Sequence, residues 1–320
     1  MDYRIMCSTK GLSRQEWLRA RQSGIGGSEA AAIINQSKYS SPLKVYLDKI
    51  TPITDETPDM QNEAMRQGKD LEEYCASRFE EATGKKVRRV NAIVQHPEYD
   101  FIIGDLDRRV DGENSILECK TTKPFTEAAK AFQDGKVPTD YAIQCHHYML
   151  VTGADRCYLA ALVLGMGFHV IPIDREQETL DLLLEREVDF WEKNVMAGVA
   201  PEWDGSEAAS EVLKNRYPEV QKGAEVELKA ITEADIKSYN ELNGYIKDLE
   251  ARREAIKQRV LDEMAEAEVG TLGGDPIARR IWVSGRETID TKKLKAEKPE
   301  VFSAYTKQGA GYARLDLGGK

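Results

Sequence analysis

The sequence has no run of about 18 uninterrupted apolar residues, so it encodes no hydrophobic membrane-spanning helix. Its first ten residues, Met1 to Lys10, lack the apolar core of a secretory signal, and nothing in them directs export. Cysteine is sparse. The five cysteines, at positions 7, 75, 119, 145 and 157, are odd in number, form no CxxC pair and match no zinc-site spacing. Free thiols in a reducing, cytoplasmic setting are the expectation. There is no internal repeat and no low-complexity tract. Net positive charge is missing too: at −10 the chain has the wrong sign for a protein that coats nucleic acid by bulk charge.

With 320 residues, 41% apolar and 31% charged, the composition is that of a soluble globular protein. At roughly 150 residues per domain it has room for about two. The charge is unevenly spread. Residues 1–50 hold eight Lys/Arg against four Asp/Glu, so the remaining chain carries −14. Further basic runs occur at Lys85–Arg89 and Arg108–Arg109, each read by itself as a solvated face. An acidic shell around a locally basic groove is compatible with an enzyme that threads DNA.

Residues 13–16, SRQE, have capping-box spacing ahead of an amphipathic helix that includes Trp17 and Leu18. Gly24-Ile25-Gly26-Gly27-Ser28 interrupts the pattern, and a second helix runs through Glu29 to Ile34. Residues 51–59 read as an exposed loop, and Gln61 to Ala82 as a helix stopped by Gly84. The period then changes. Val87–Val94 and Phe101–Val110 read as strands, residues 111–114 as a turn, and Ser115–Lys120 as a further strand. A helix around Tyr141–Val151, a strand pair at Tyr158–Leu164 and Phe168–Ile173, and an acidic helix over 175–198 follow. Composition shifts near residue 222, dividing the chain into 1–222 and a mainly helical region, 223–320. There a helix capped at Thr232 runs to about Glu268, with Tyr239, Leu242, Ile246, Leu249, Ile256 and Val260 at 3,4 spacing. A small glycine-rich, strand-containing tail completes it.

The hairpin between Asp105 and Lys120 carries the chemistry. A two-residue loop at Gly112-Glu113 sets Asp107 opposite Glu118, and a loop at Asp111-Gly112 shifts the pairing by two. Both registers leave the two carboxylates on one face, because side chains alternate with period two. Cross-strand Cβ atoms lie about 5 Å apart, close enough for both groups to hold one divalent cation. Lys120 shares the face. Hard oxygen ligands suit Mg²⁺ or Mn²⁺, which polarise a phosphoryl oxygen and acidify bound water. A lysine there can orient or deprotonate that water. The alternative is a surface hairpin with cross-strand ion pairs, since D…ExK is short and common.

Three further signals accompany it. Gly68-Lys69-Asp70-Leu71-Glu72 precedes the hairpin on a helix, Gly104-Asp105-Leu106-Asp107 supplies a GxxD, and Gln144 and Tyr148 follow at i,i+4 on one helical face. This ordered set resembles the RecB-type nuclease motifs of the restriction-endonuclease-like superfamily. The resemblance implies Glu72, Asp107, Glu118 and the Cys119 carbonyl as metal ligands, Lys120 as catalytic, and Gln144 as supporting the site or contacting DNA. Glu73 and Asp105 stand beside the expected ligands as alternatives. His146 and His147 lack a second ligand at clear spacing and are read as structural or DNA-adjacent. Trp17, Trp191 and Trp203 are read as core or interface residues.

Residues 21–33, RQSGIGGSEAAAI, together with LECKTT at 117–122 and QCHHYM…TG at 144–153, are similar to the YqaJ-type viral recombinases, the group containing bacteriophage lambda exonuclease. The resemblance spans about residues 14–203. It implies an α/β restriction-endonuclease-like fold, a central mixed sheet flanked by helices. It further implies Mg²⁺-dependent digestion of one strand of linear double-stranded DNA from its 5′ end, releasing mononucleotides and leaving a 3′ single-stranded tail. A ring-shaped homotrimer and a single-strand annealing protein as partner belong to the same picture. Arg21 and Ser28 match positions that hold the 5′-phosphate, with Tyr148 also on the DNA-binding side. Physically, a glycine-rich loop opening a helix presents backbone N–H groups to an anion, although a helix break capped by Ser28 has the same sequence. Two other classes stay open. A sequence- or structure-specific endonuclease would use the same metal site, whereas a non-catalytic DNA-binding assembly protein would need a broken one.

Overall fold

The computed structural model describes residues 1–54, 62–307, 311 and 313–317; most of the loop expected over 51–59 lies outside them. The chain divides into two compact units, Met1–Arg216 and Tyr217–Lys320, six residues earlier than the change in composition near 222.

In the first unit, strand β1 (Arg4–Ser8) leads into α1 (Arg14–Gln22), whose N-terminus carries the expected capping box between Ser13 and Glu16. Next come α2 (Gly27–Ile33), α3 (Pro42–Ile50) and α4 (Glu63–Thr83), which ends on Gly84 at a φ of 71°. The two long strands expected next are both broken. Val87–Val94 divides into β2 (Val87–Arg89) and β3 (Ala92–Gln95), with Asn91 at a φ of 51° between them. Phe101–Val110 divides into β4 (Ile103–Asp105) and β5 (Arg108–Val110). After β6 (Ser115–Thr122) come α5 (Glu127–Gln133), α6 (Thr139–Thr152), β7 (Arg156–Val163), β8 (Gly167–Asp174), α7 (Gln177–Phe190) continued by a π-helical turn over Trp191–Met196, and α8 (Glu207–Arg216).

The reason for the breaks is that the pieces join different sheets. β1, β3 and β4 make a three-stranded antiparallel sheet, whereas β2, β5, β6, β7 and β8 form a five-stranded mixed sheet in that order, with only β6 and β7 parallel. This mixed sheet flanked by helices is the expected α/β class.

Alternation along β6 decides which groups meet. Leu117 packs with Ala76 and Phe79 of α4, while Ile116 packs in the main core with Cys145 and Met149 of α6. Glu118 and Lys120 fall in the Ile116 set by the two-residue period. β5 pairs with β6 through Arg108↔Leu117 and Arg109↔Ile116; continued by one residue, this register sets Asp107 opposite Glu118. That is the first of the two pairings expected.

In the second unit, α9 (Ala230–Met264) begins ahead of Thr232, with Lys229 at the cap position and no capping side chain. A two-residue turn, Gly273–Gly274, with φ of 61° and 95°, joins β9 (Val269–Leu272) to β10 (Asp275–Arg279). Only residues with little penalty at positive φ suit both positions of such a turn. Two short helices, α10 (Thr291–Glu297) and α11 (Pro299–Tyr305), follow. The stripe of Tyr239, Leu242, Ile246 and Leu249 on α9 is exposed, so no core forms along this helix. Among the described residues no helix is long and apolar enough to cross a membrane.

Candidate active site

β6 and α6 bring four of the expected residues together. Lys120 Nζ donates to Glu118 Oε1 at 2.7 Å, and Gln144 Nε2 donates to the same oxygen at 2.9 Å and to the Tyr148 hydroxyl at 3.0 Å. Asp107 sits in the bend ahead of β5, and its Oδ2 accepts the Cys119 backbone N–H at 2.7 Å. Each carboxylate is therefore anchored through one oxygen. Among the described residues, none donates a hydrogen bond to Asp107 Oδ1 or Glu118 Oε2.

Both carboxylates are held above the ordinary range. For Asp107 burial is the largest cause, followed by repulsion from Glu118 and Glu72, against the stabilising Cys119 N–H. Glu118 is raised by burial, partly offset by Lys120. Burial opposes the charge on Lys120, but Glu118 and Asp107 outweigh it and hold the ammonium above its usual value. A buried and a half-buried carboxylate side by side, whose ionisation is opposed and each with one open oxygen, have the chemistry that suits a hard divalent cation. The residues present fit such an ion.

Glu72 is placed differently from these two. It comes from α4, which packs on the Leu117 side of β6, and the Arg108 guanidinium holds it in a close ion pair. Arg108 also reaches Glu73 at 3.0 Å and is only 2% exposed. Among the described residues no three His, Cys, Asp or Glu side chains converge as a metal cluster, and Glu72 is engaged by Arg108. The reading of Arg108–Arg109 as a solvated face fails at Arg108, because that residue turns inward on β5.

The glycine segment forms a second wall. Arg21 Nη2 donates to Ser28 Oγ at 2.8 Å, and its guanidinium lies 4.9 Å from the Trp17 ring centroid. Trp17 Nε1 donates to Asp105 Oδ2 at 2.8 Å, so this acid serves the Arg21 wall. Gly26 is the N-cap of α2, not Ser28, and its N–H donates to Glu29 Oε2 at 2.8 Å. A Cβ on Gly26 would stand 2.6 Å from Arg21 Nη2, and one on Gly27 2.6 Å from Tyr148 Cε1. At Gly27 the buried Tyr148 ring leaves no room for a side chain, whereas at Gly26 the space is taken by the end of the flexible Arg21 side chain. Tyr148 is buried, with its ring under Gly27 and its hydroxyl tied to Gln144.

Sequence reasoning missed Lys49, Arg108 and Tyr141. Lys49, buried on α3, donates to both Glu29 oxygens at 2.8 Å and to the Arg21 carbonyl at 3.0 Å. Tyr141 stacks on Phe132 and lies 5.1 Å from Lys120 Nζ at its ring centroid. No periodicity announces these contacts, since each joins elements far apart in the chain. His147 is fully buried: the Ile103 carbonyl accepts from Nε2 at 2.8 Å, and Nδ1 lies 2.7 Å from Glu187 Oε1. That pairing gives it a structural place. All five cysteines are free.

Residues 16–155 match the family model described as the YqaJ-like viral recombinase domain. The chain is 37% identical over 306 residues to the YqaJ protein of Bacillus subtilis (strain 168), itself described as uncharacterized, covering 95% of this chain and 94% of that one. Among solved structures it is similar to an alkaline exonuclease from Laribacter hongkongensis, at 20% identity and a TM-score of 0.48 over 63% of this chain and 97% of that one. A phage-related exonuclease from Haemophilus somnus 129PT is similar at 16% identity and a TM-score of 0.38, over 61% and 96%. The extent of the YqaJ match, carried across both units, decides the matter: the chain belongs to the YqaJ-like viral recombinase family.

Proposed function

We propose that the protein is a Mg²⁺-dependent deoxyribonuclease that digests one strand of linear duplex DNA from its 5′ end, leaving a 3′ single-stranded tail for annealing-based recombination. The observation that carries this reading is the pair of anchored carboxylates, Asp107 and Glu118, each with one open oxygen, beside Lys120. Membership of a recombinase family supports the DNA substrate, and the restriction-endonuclease-like arrangement accords with it. Mg²⁺, or Mn²⁺ in its place, held by Asp107, Glu118 and the Cys119 carbonyl, would neutralise the scissile phosphate and acidify a water.

The chain's own groups do the rest. Gln144 fixes Glu118 in place through Oε1, and Asp107 is fixed by the Cys119 N–H, so neither carboxylate has to reorganise during reaction. Lys120 stands beside Glu118, where its ammonium can orient the attacking water and offset the charge that develops on the phosphate. Arg21, in the last turn of α1, and Ser28, at the N-terminus of α2, offer a guanidinium, a hydroxyl and helix-end N–H groups to a terminal phosphate. Glu72 completes the set as a third ligand once Arg108 releases it. Tyr148 supports this wall from below. Residues 1–222 act as the nuclease core in a cytoplasmic homotrimeric ring, and 223–320 as an accessory region available to a single-strand annealing protein.

Digestion of linear duplex with and without a 5′-phosphate, beside a closed circular plasmid, tests the proposal. The expected outcome is Mg²⁺-dependent release of mononucleotides from phosphorylated ends and an intact circle. Undiminished hydrolysis by Asp107→Ala or Lys120→Ala would sink the catalytic assignment, and cutting of the circle would favour an endonuclease. Retained preference for phosphorylated ends in Arg21→Ala would remove the phosphate pocket alone.

A further inference from the structure

Beyond Lys120 the catalytic face of β6 runs on into a cleft. Glu118, Lys120 and Thr122 share that face, and at about 3.3 Å per residue Thr122 lies roughly 7 Å past the lysine. Thr122 and Tyr141 line a cleft of about 820 Å³ whose other wall is the segment Asn35–Tyr39. Its volume is that of a small-molecule site.

Three features set the chemistry of what it can hold. The first is charge. The charged lining residues are Lys38, Glu127 and Asp140, and Lys38 is paired with Glu127, so the cleft is slightly acidic and does not attract phosphate. The second is neutral hydrogen-bonding capacity, from Asn35, Thr122 and Thr139. The third is aromatic surface with nothing on it. Tyr39, which lines the cleft, is 80% exposed, and Phe125, which does not line it but precedes the lining residue Thr126 in the chain, is 90% exposed.

The backbone that carries each ring is tied down by hydrogen bonds. Ser37 Oγ accepts from the Tyr39 and Ser40 N–H groups at 3.2 Å. Phe125 has a φ of 62°, a conformation that L side chains seldom adopt. Its loop is fixed by Thr126, whose Oγ1 donates to the Lys123 carbonyl at 3.1 Å, accepts from Ala129 N–H at 3.1 Å and lies 3.0 Å from Thr122 Oγ1. A bulky apolar side chain held outward in a left-handed conformation gains nothing from the core. Such outliers gather at ligand clamps.

We propose that this cleft is a nucleobase subsite, in which Tyr39 and Phe125 stack on bases of the DNA strand entering the Asp107–Glu118–Lys120 centre. The inference rests on the nuclease reading only for its substrate, DNA. Phosphates are left to Arg21 and Lys120, and the cleft takes the π-faces and edges of the bases. Stacking of this kind tolerates every base, as a non-specific exonuclease requires.

The test uses the full chain in EDTA, so that nothing is cut, and 5′-phosphorylated single-stranded oligonucleotides with 2-aminopurine at each of the first four positions. Binding is expected to quench the probe at one or two adjacent positions. Tyr39→Ala and Phe125→Ala should each weaken binding about tenfold and restore fluorescence, while Tyr39→Phe and Phe125→Tyr retain both. An oligonucleotide with an abasic site at the quenched position should bind wild type about tenfold more weakly and ignore the alanine substitutions. Because both rings are exposed, melting curves should match wild type. Alanine variants that bind and quench like wild type, an abasic oligonucleotide bound as tightly as the intact one, or no binding at all would overturn the proposal. Loss of Mg²⁺-dependent hydrolysis would count against the nuclease reading and leave this binding result standing.

Discussion

Lys49 Nζ donates to both carboxylate oxygens of Glu29 at 2.8 Å, joining α3 to α2, with the lysine buried and the carboxylate largely enclosed. Through Glu29 it fixes the Gly26 N–H, and through its third hydrogen bond the Arg21 carbonyl. Lys49→Met leaves the enclosed Glu29 without its cation, which costs about 3–5 kcal/mol. For a unit of this size the melting temperature should fall by roughly 10 °C. Pairing it with Glu29→Gln should recover much of the loss, as a double-mutant cycle in thermal unfolding would read out.

Two adjacent glycines should fail in different ways when replaced by alanine. At Gly26 the new methyl meets the end of the flexible Arg21 side chain, which can move aside. Gly26→Ala should therefore melt close to wild type yet lose its preference for 5′-phosphorylated ends. At Gly27 the methyl meets the buried Tyr148 ring, which cannot. Gly27→Ala should lose about 1–3 kcal/mol and slow hydrolysis on both kinds of end, because Tyr148 carries Gln144 and Gln144 carries Glu118. Kinetics on paired substrates with and without the phosphate separate the two outcomes.

Asp107→Asn removes one of two mutually repelling carboxylates, the half-buried one beside buried Glu118, while keeping an oxygen for the Cys119 N–H. Without metal the variant should be more stable than wild type by about 1 kcal/mol, or roughly 2–4 °C in a unit of this size, and inactive. Lys120→Ala should reduce hydrolysis about 10²–10³-fold. A destabilised Asp107→Asn protein in EDTA would show that the repulsion is not felt at this site.

His147 gives a pH dependence of known sign. Burial opposes its charge, but Glu187 on α7, the Ile103 carbonyl and, more distantly, Glu29 raise its pKa above the ordinary 6.5. A raised folded-state value means that the stabilisation is complete below the unfolded pKa and is lost as pH rises through the folded one. Replacing His147 by Gln should therefore cost most near pH 6 and progressively less above neutrality. Denaturant midpoints of the two proteins across pH 5.5–9, with NMR titration of the imidazole, would check it. A constant difference across that range would contradict the assignment.

The local features were legible because local rules govern them. The capping box at Ser13–Glu16 and the Gly84 stop sit where the residues place them, and loop parity puts Asp107 and Glu118 on one face, the tertiary structure choosing between the two registers it allows. The division of Phe101–Val110 was not legible, because nothing in FIIGDLDRRV marks a change of sheets at Leu106.

The sequence by itself determined which chemical groups stand on the catalytic face of β6, because a strand's two-residue period needs no long-range information. Tertiary structure alone decided what those groups meet. It put Gln144 on Glu118, Arg108 on Glu72 and Lys49 behind Arg21, because each contact joins positions 20 to 36 residues apart. Such pairings depend on how helices pack across a sheet, and no local pattern of residues encodes that.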